Sequence, residues 1–139
     1  MIPKLFKGGI SHDNRGSVSF NNNLILKNIK RFYFVENKKI NFVRAWHGHK
    51  IEAKFILCIR GKAKISAVKI RNVEKPSKKS KVFSWNLDGK VPDVIYIPPG
   101  YANGSKSLSK DMKLLILSTT TLTKSVKDDY RYPKEFWKI

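Results

Sequence analysis

Short runs of alternating polar and apolar residues, separated by turn residues, most constrain what this chain can fold into. In residues 62–67 every second side chain is apolar, as expected for a strand with one buried face. Arg60-Gly61 joins this run to the apolar run 54–59, and the two are predicted to form a hairpin. Clusters of β-branched and aromatic residues predict further strands at 17–20, 29–35, 42–46, 82–85, 94–97 and 112–121.

Turns and polar loops separate these runs. Pro98-Pro99-Gly100 is a turn signal, with Pro where φ is fixed near about −65° and Gly where φ is positive. The polar stretches 36–41 and 72–80 are predicted loops, and only 124–130 has a pattern that suits a turn or two of helix. The sequence therefore predicts one all-β domain over residues 1–139, a double-stranded β-helix (jelly roll) or barrel with little helix.

The chain is strongly basic. It carries 29 Lys and Arg against 10 Asp and Glu, a formal net charge of +19, yet 41% of its residues are apolar and 12% aromatic, which excludes a disordered chain. Such a charge attracts polyanions, including nucleic acid, anionic membranes and phosphorylated small molecules. No RNA-binding aromatic signature, zinc-finger spacing or helix-turn-helix pattern is present, so we expect no nucleic-acid partner.

The apolar runs indicate neither a membrane protein nor a disulfide-bonded one. None approaches the roughly 18 residues that cross a bilayer, and the N-terminus lacks the apolar stretch of a secretory signal. The only cysteine, Cys58, lies in an apolar run, so no internal disulfide can form and the thiol is predicted to be buried. We expect a cytoplasmic protein without membrane contact.

The residues best suited to chemistry are two of the three histidines. His12 stands alone, whereas His47 and His49 form a His-x-His pair. Residues two apart on a strand project from one face, so both imidazoles can enter one cavity. An arbitrary pair of this kind is more often exposed, but Trp46, Arg44 and the apolar strand that follows favour a pocket.

Metal binding is one interpretation of the pair. Two imidazoles followed by Glu52 offer two nitrogens and an oxygen, which resembles the metal motif of the cupin superfamily. The second cupin motif aligns with residues 98–103 but has Asn103 where its last histidine ligand would stand. The ligand set is incomplete, so a metal site is not favoured and we expect no cofactor.

General acid–base catalysis is the other interpretation, because a free imidazole, with a pKa near about 6.5, can accept and return a proton at neutral pH. Three segments in order, 13–17 (Asp-Asn-Arg-Gly-Ser), 44–50 (Arg-Ala-Trp-His-Gly-His-Lys) and 58–61 (Cys-Ile-Arg-Gly), resemble the dTDP-sugar 3,4-ketoisomerases of the cupin superfamily (WxcM-like or FdtA-like). Residues 96–104 are closer to the related dTDP-4-dehydrorhamnose 3,5-epimerases (RmlC-like).

The resemblance implies a jelly-roll homodimer that binds a dTDP-linked 4-keto-6-deoxy sugar and moves protons beside its ketone, in deoxysugar biosynthesis for a surface polysaccharide. By position, His47 matches the catalytic base of the epimerases and His49 the second histidine of the ketoisomerases. Arg15 and Arg44 match arginines that hold the pyrophosphate, and Lys54 matches the epimerase lysine near the developing enolate.

Three further residues complete the candidate substrate-binding set, namely Tyr33, Tyr101 and Asn103, although tyrosines in such chains are more often core or rim residues than acids. The chain departs from the epimerases at two places. Leu122 stands near the position of their tyrosine acid, and the aspartate that partners their base has no counterpart before Ile139. These departures weaken the case for epimerisation at both C3 and C5.

The leading hypothesis is a 3,4-ketoisomerase, an isomerase in which His49 is the base and His47 moves the proton between O3 and O4, with the reverse assignment left open. A 3-epimerase or 3,5-epimerase is the alternative within enzymes. A non-catalytic cupin that binds a sugar or a polyanion is the alternative from another class.

Overall fold

A computed structural model describes all residues from 1 to 139. It contains twelve strands and one short helix. In chain order these are β1 Lys4–Phe6, β2 Gly9–Asp13, β3 Gly16–Phe20, β4 Arg31–Glu36, β5 Val43–His49, β6 Lys54–Arg60, β7 Lys62–Lys69, β8 Val82–Asp88, β9 Val94–Ile97, β10 Tyr101–Ser107, β11 Lys113–Ser118, α1 Leu122–Lys127 and β12 Tyr130–Arg131.

The strands form two antiparallel five-stranded sheets. The first has the order β1-β9-β6-β11-β4 and the second β12-β5-β10-β7-β8, while β2 and β3 form a separate hairpin. The predicted all-β fold with little helix is therefore confirmed. No helix of the structure is long and apolar enough to cross a bilayer.

The predicted hairpin of residues 54–59 and 62–67 is wrong. Both strands exist, but β6 pairs with β9 and β11 in the first sheet, and β7 pairs with β8 and β10 in the second. The chain turns the corner between the sheets at Gly61, whose φ of +70° is one that other residues rarely adopt. The inner faces of both strands are buried in the same core. A period-two pattern reports that one face of a strand is buried, and it does not show whether two such strands pair with each other.

The main core lies between the two sheets. Alternate residues of the central strands point inward, among them Ile56, Ile65, Ile95 and Leu114. Cys58 belongs to this cluster and is 2% exposed, as predicted. Burial raises the pKa of its thiol to about 11, which leaves it unreactive at neutral pH.

The C-terminal segment covers the outer face of the second sheet. Trp46 and Trp137 are both buried there, and the Trp46 indole Nε1 donates to the Trp137 carbonyl at 3.0 Å. The segment also forms two hydrogen bonds with the predicted loop 72–80. Trp137 Nε1 donates to the Ser77 carbonyl at 2.9 Å, and the Tyr132 hydroxyl donates to the Val73 carbonyl at 2.7 Å. This packing brings α1 and β12 to the edge of the sandwich beside β5.

The outer face of the first sheet carries apolar side chains that nothing in the chain covers. Phe32 and Phe34 on β4 are 64% and 50% exposed, and Ile59 on β6 is 39% exposed. Leu115 and Leu117 of β11 lie between them in the register and are partly buried. The second sheet is thus covered, whereas the first sheet is open on its β4 side, since Phe55 of β6 on the same face is only 6% exposed.

Candidate active site

A cavity of about 300 Å³ opens between the two sheets, with α1 and the residues around β12 at its mouth. Its walls come from β4, β5, β6, β7, β10 and β11 and from the C-terminal segment. Six of the eight predicted site residues line it, namely Tyr33, Arg44, His47, His49, Lys54 and Asn103.

The histidine pair faces this cavity because of what lies behind β5. Gly48 separates the two histidines and is buried on the opposite side of the strand. A Cβ at Gly48 would come within 2.5 Å of Ile70 Cδ1, 3.2 Å of the Tyr132 ring and 3.3 Å of the Tyr130 carbonyl. Glycine at position 48 therefore leaves room for β12 to pair with β5. The side chains of His47 and His49, on either side of Gly48, point the other way, into the cavity.

A β-bulge brings Arg44 to the same wall. His47 and Arg44 are three residues apart, so on a regular strand their side chains would point to opposite faces. On the partner strand β10 their register partners Asn103 and Ser105 are only two apart, and the pairing shifts between them. The extra residue in β5 reverses the alternation, so Arg44 also lines the cavity.

His49 is held by hydrogen bonding on one side of its ring. Its Nδ1 lies 2.6 Å from the Asp128 carbonyl, an acceptor only, so Nδ1 carries the proton. Glu52 Oε2 lies 3.2 Å from the same nitrogen. Nε2 is left buried with no partner in the protein. In the neutral ring this nitrogen carries the lone pair, as a general base requires.

Glu52 is fully buried behind His49 and does not line the cavity itself. Its Oε1 accepts hydrogen bonds from Ser118 Oγ and from Arg31 Nη2 at 3.1 Å, and its Oε2 accepts one from Ser125 Oγ at 2.9 Å. Burial raises the pKa of Glu52, but the Ser118 hydrogen bond and the nearby positive charge of Lys54 outweigh it, so that the pKa is below its usual value. The carboxylate is therefore ionised at neutral pH.

His47 lines the same cavity without any side-chain hydrogen bond to the protein. Burial, together with the positive charges of Lys54 and Arg131, lowers its pKa to about 4. Burial and Lys54 also lower the pKa of His49, against the opposing charge of Glu52. Both rings are consequently neutral at pH 7 and able to accept a proton.

Lys54 and Tyr33 are titratable side chains of the cavity that can donate a proton. Lys54, on β6, is 7% exposed, and burial lowers its pKa against the opposing effect of Glu52. Burial and the Glu52 charge raise the pKa of Tyr33 to about 12, so its hydroxyl stays protonated. The Arg31 guanidinium lies 4.8 Å from the centre of the Tyr33 ring.

Several cavity residues were not predicted from the sequence. Arg31 lies two residues before Tyr33 on the inward face of β4, so period-two alternation could have identified it. Arg131 and Asp129 come from the C-terminal segment and pair with each other at 2.9 Å. No local sequence pattern predicts that Asp128, Asp129 and Arg131 lie near the histidines. Asp128, for example, contacts His49 across a separation of 79 residues.

Two predicted substrate-binding residues lie outside the cavity. Tyr101 shares the inward face of β10 with Asn103, but its ring is packed in the core and its hydroxyl donates to the Met1 carbonyl at 3.4 Å. Arg15 is on the hairpin of β2 and β3, where its 86% exposed side chain pairs with Asp13 at 2.6 Å. Neither can reach a ligand bound in this cavity within one chain.

The residues present do not fit a metal site. No cluster of three His, Cys, Asp or Glu side chains is arranged to hold an ion. The Glu52 oxygens are occupied by Arg31, Ser118 and Ser125, and Asn103 donates its amide to the His47 carbonyl at 3.0 Å.

The two-sheet sandwich and the His-x-His cavity define a cupin-type jelly roll. The family model of the WxcM-like, C-terminal proteins (FdtA) matches residues 3–139, so the chain belongs to that family. The resemblance drawn from the sequence is thereby confirmed. A comparison with curated proteins found no match.

Solved structures with the same fold include ketoisomerases and epimerases. The 3,4-ketoisomerase QdtA from Thermoanaerobacterium thermosaccharolyticum, in complex with TDP-4-keto-6-deoxyglucose as a mutant, is 19% identical with a TM-score of 0.72, over 96% of this chain and 90% of that chain. A 3,4-ketoisomerase from Helicobacter canadensis is 23% identical with a TM-score of 0.67, over 98% and 95%. The dTDP-4-dehydrorhamnose 3,5-epimerase from Sulfolobus tokodaii is 18% identical with a TM-score of 0.77, over 99% and 80%.

Proposed function

We propose that the protein is a nucleotide-sugar 3,4-ketoisomerase acting on a dTDP-linked 4-keto-6-deoxyhexose. The observation that carries the proposal is the fixed imidazole of His49, whose unpartnered Nε2 belongs to a cavity that also contains His47 and Lys54. A proton next to a ketone is removable only if the resulting enolate is stabilised by a donor or a cation. These three residues supply the base and the donors.

The proton transfers balance without an added cofactor. His49 Nε2 takes the C3 proton, the C3–H electron pair forms the C3=C4 bond, and the ketone oxygen O4 takes a proton from Lys54. Neutral His47 then takes the O3 proton of the enediol and passes it to Lys54, C3=O forms, and the proton held by His49 returns to C4. The product is the 3-keto sugar. His47, neutral in the free protein, is suited to carry the proton from O3 to O4.

The size and charge of the cavity support a sugar attached to a diphosphate. About 300 Å³ is at the lower limit for small-molecule sites, so the hexose fits inside and the nucleoside extends past the mouth. Arg44 and Arg131 line the cavity with part of their surface exposed. Their planar guanidinium groups suit paired hydrogen bonds to phosphate oxygens.

The cavity wall favours isomerisation over two-site epimerisation. Leu122, which stands near the position of the epimerase tyrosine, lines the cavity and is 64% exposed. Its side chain cannot donate a proton to the opposite face of the sugar. The one tyrosine that lines the cavity, Tyr33, lies on β4.

Incubation with dTDP-4-keto-6-deoxyglucose in deuterated water, followed by NMR, tests the proposal. A ketoisomerase moves the carbonyl to C3 and places hydrogen at C4. An epimerase keeps the C4 ketone and places deuterium at C3 or C5. A binding protein exchanges nothing, so either of the last two outcomes contradicts the proposal.

The His49→Asn variant tests the assignment of the base. We expect turnover to be abolished and dTDP affinity to stay nearly unchanged, because the ring contacts the sugar and not the nucleotide. His12→Asn is the matched control, since His12 is exposed on the hairpin strand β2. Full activity in His49→Asn would exclude His49 as the base.

We also propose that the protein acts as a homodimer. The open apolar face of the first sheet, with Phe32, Phe34 and Ile59 exposed, supports pairing with a second copy. Arg15 then contacts a substrate only if the hairpin of β2 and β3 reaches the cavity of the other copy. A cytoplasmic location and a role in polysaccharide biosynthesis stay predictions.

A further inference from the structure

Glu52 occupies a position that neither substrate binding nor the proton path requires. It lies in the turn after β5, and its side chain has no exposed surface. Arg31, an arginine with 23% side-chain exposure, pairs with its Oε1. A purely structural role for Glu52 as the partner of Arg31 would explain the contact at Oε1 but not the position of Oε2.

The second oxygen faces the candidate base. Glu52 Oε2 lies 3.2 Å from His49 Nδ1, on the side of the ring away from the unpartnered Nε2. The Nδ1 proton itself is donated to the Asp128 carbonyl at 2.6 Å, so orientation and charge come from different residues. The carbonyl fixes the ring, and the carboxylate places a negative charge beside it.

We propose that Glu52 is a positioning residue that acts through His49, its buried charge stabilising the imidazolium formed when Nε2 takes up a substrate proton. The inference rests on the proposed function. The surroundings of Glu52 support it, because Ser118, Arg31 and Ser125 all donate to this carboxylate and hold it rigid. A buried charge next to an imidazole is effective because little solvent screens it.

The negative charge matters because the other charges around His49 are mostly positive. Lys54 on β6 opposes protonation of the ring, and the guanidinium groups of Arg31 on β4 and Arg131 on β12 line the same cavity. The Asp128 carboxylate favours protonation of the ring in the same direction as Glu52, and Asp129 and neutral His47 on β5 complete the surroundings. Among these groups, Glu52 has the carboxylate nearest to the His49 ring.

The test is the Glu52→Gln variant with Glu74→Gln as a matched control, because Glu74 is an exposed glutamate in a loop. NMR titration of the ¹⁵N-labelled His49 ring in the free protein should show protonation at lower pH in Glu52→Gln than in the wild type. Glu74→Gln should titrate as the wild type does. Unchanged titration of His49 in Glu52→Gln would overturn the inference.

Kinetics give the second readout. With the 4-keto sugar nucleotide, Glu52→Gln should lower kcat 10- to 100-fold and change KM less than about threefold, because the charge is used only when the proton is on His49. Glu52→Asp keeps the charge and should recover part of kcat, and it replaces the glutamine variant if that protein does not fold. Equal losses in Gln and Asp variants would show a structural role only.

The two readouts separate this inference from the proposed function. The NMR titration needs no substrate. A shifted His49 titration in a protein that moves no sugar protons would support the charge pairing and contradict the ketoisomerase. Normal ketoisomerisation with an unshifted titration would do the reverse.

Discussion

Two imidazoles on one strand can have different roles when their surroundings differ. His49 is oriented by the Asp128 carbonyl, with Glu52 beside the same nitrogen. His47 has no such partner, and burial with the positive charges of Lys54 and Arg131 lowers its pKa to about 4. A ring fixed at one nitrogen suits repeated proton transfer at the other, whereas an unattached neutral ring suits a shuttle between two oxygens.

The low pKa of His47 predicts a loss of stability in mild acid. The ordinary value is 6.5 and the folded value about 4, so between these the unfolded chain binds more protons and the free energy of unfolding falls as pH falls. We expect a loss of roughly 1–2 kcal/mol across this window after allowing for solvent screening. Urea titrations from pH 7 to pH 4 measure it.

The control for this prediction is again a histidine on the surface. His47→Gln should flatten the pH dependence of the free energy of unfolding, and His12→Gln should leave it unchanged, because His12 is exposed on β2. Equal slopes in His47→Gln and the wild type would contradict the assignment.

Sequence periodicity predicted most strands but not how they connect. The alternation in residues 62–67 marks β7 correctly, yet its neighbour β6 lies in the other sheet, because burial against a shared core leaves the same pattern as pairing. The period-two argument for His47 and His49 holds. Arg44 reaches the same wall only through a bulge, which depends on β10 and leaves no mark in β5 itself.

Long-range contacts account for what the sequence did not predict at the site. Asp128 lies at the C-terminal end of α1, and its carboxylate accepts hydrogen bonds from the backbone N–H groups of Lys50, Ile51 and Glu52 at 2.8, 2.9 and 2.9 Å. Its carbonyl receives the His49 proton. One residue thus connects the helix to the turn after β5, and only the fold brings them together.

Removing this connection should destabilise the protein. Asp128→Ala leaves three backbone donors without their acceptor, at a cost of about 3 kcal/mol, since hydrogen bonds to a charged group contribute more than neutral ones. Asp129→Ala removes one surface ion pair with Arg131 and should cost less than about 1 kcal/mol. Urea unfolding compares the two variants, and equal midpoints would show that Asp128 does not hold the turn.

At the scale of the molecule, the two outer sheet faces differ. The C-terminal segment, with Trp137 and Tyr132, covers the second sheet, and nothing covers Phe32 and Phe34 on the first. An exposed apolar face that each copy presents identically is suited to a two-fold dimer. Burial of this face would leave the cavity, which opens between the sheets, free for substrate.

The dimer is tested by placing a charge on that face. We expect the wild type to have the mass of a dimer in light scattering after gel filtration, and Phe34→Asp to have that of a monomer, because a buried carboxylate without a partner disfavours association. Val91→Asp is the control, since Val91 is 40% exposed in the loop between β8 and β9. A monomeric wild type, or a dimeric Phe34→Asp, would contradict the prediction.

The net charge of the whole chain affects the rate at which an anionic ligand associates. Six of the 29 Lys and Arg side chains form ion pairs with Asp or Glu, and the other 23 have no such partner, so unpaired cations produce the field of the net charge of +19. Such a field raises the association rate of an anion, and salt screens it, because the Debye length shortens from about 30 Å at 0.01 M to about 8 Å at 0.15 M.

We therefore expect the association rate constant of TDP to fall about tenfold between 0.01 M and 0.15 M NaCl, while thymidine, which lacks the phosphates, shows little change. Stopped-flow mixing measures both rates. The dissociation rate of TDP should change less, because contacts within the site, such as those expected from Arg44 and Arg131, are shorter than the Debye length at either concentration. If salt affects TDP and thymidine alike, the surface charge does not steer the ligand, and the basic composition needs an explanation other than substrate capture.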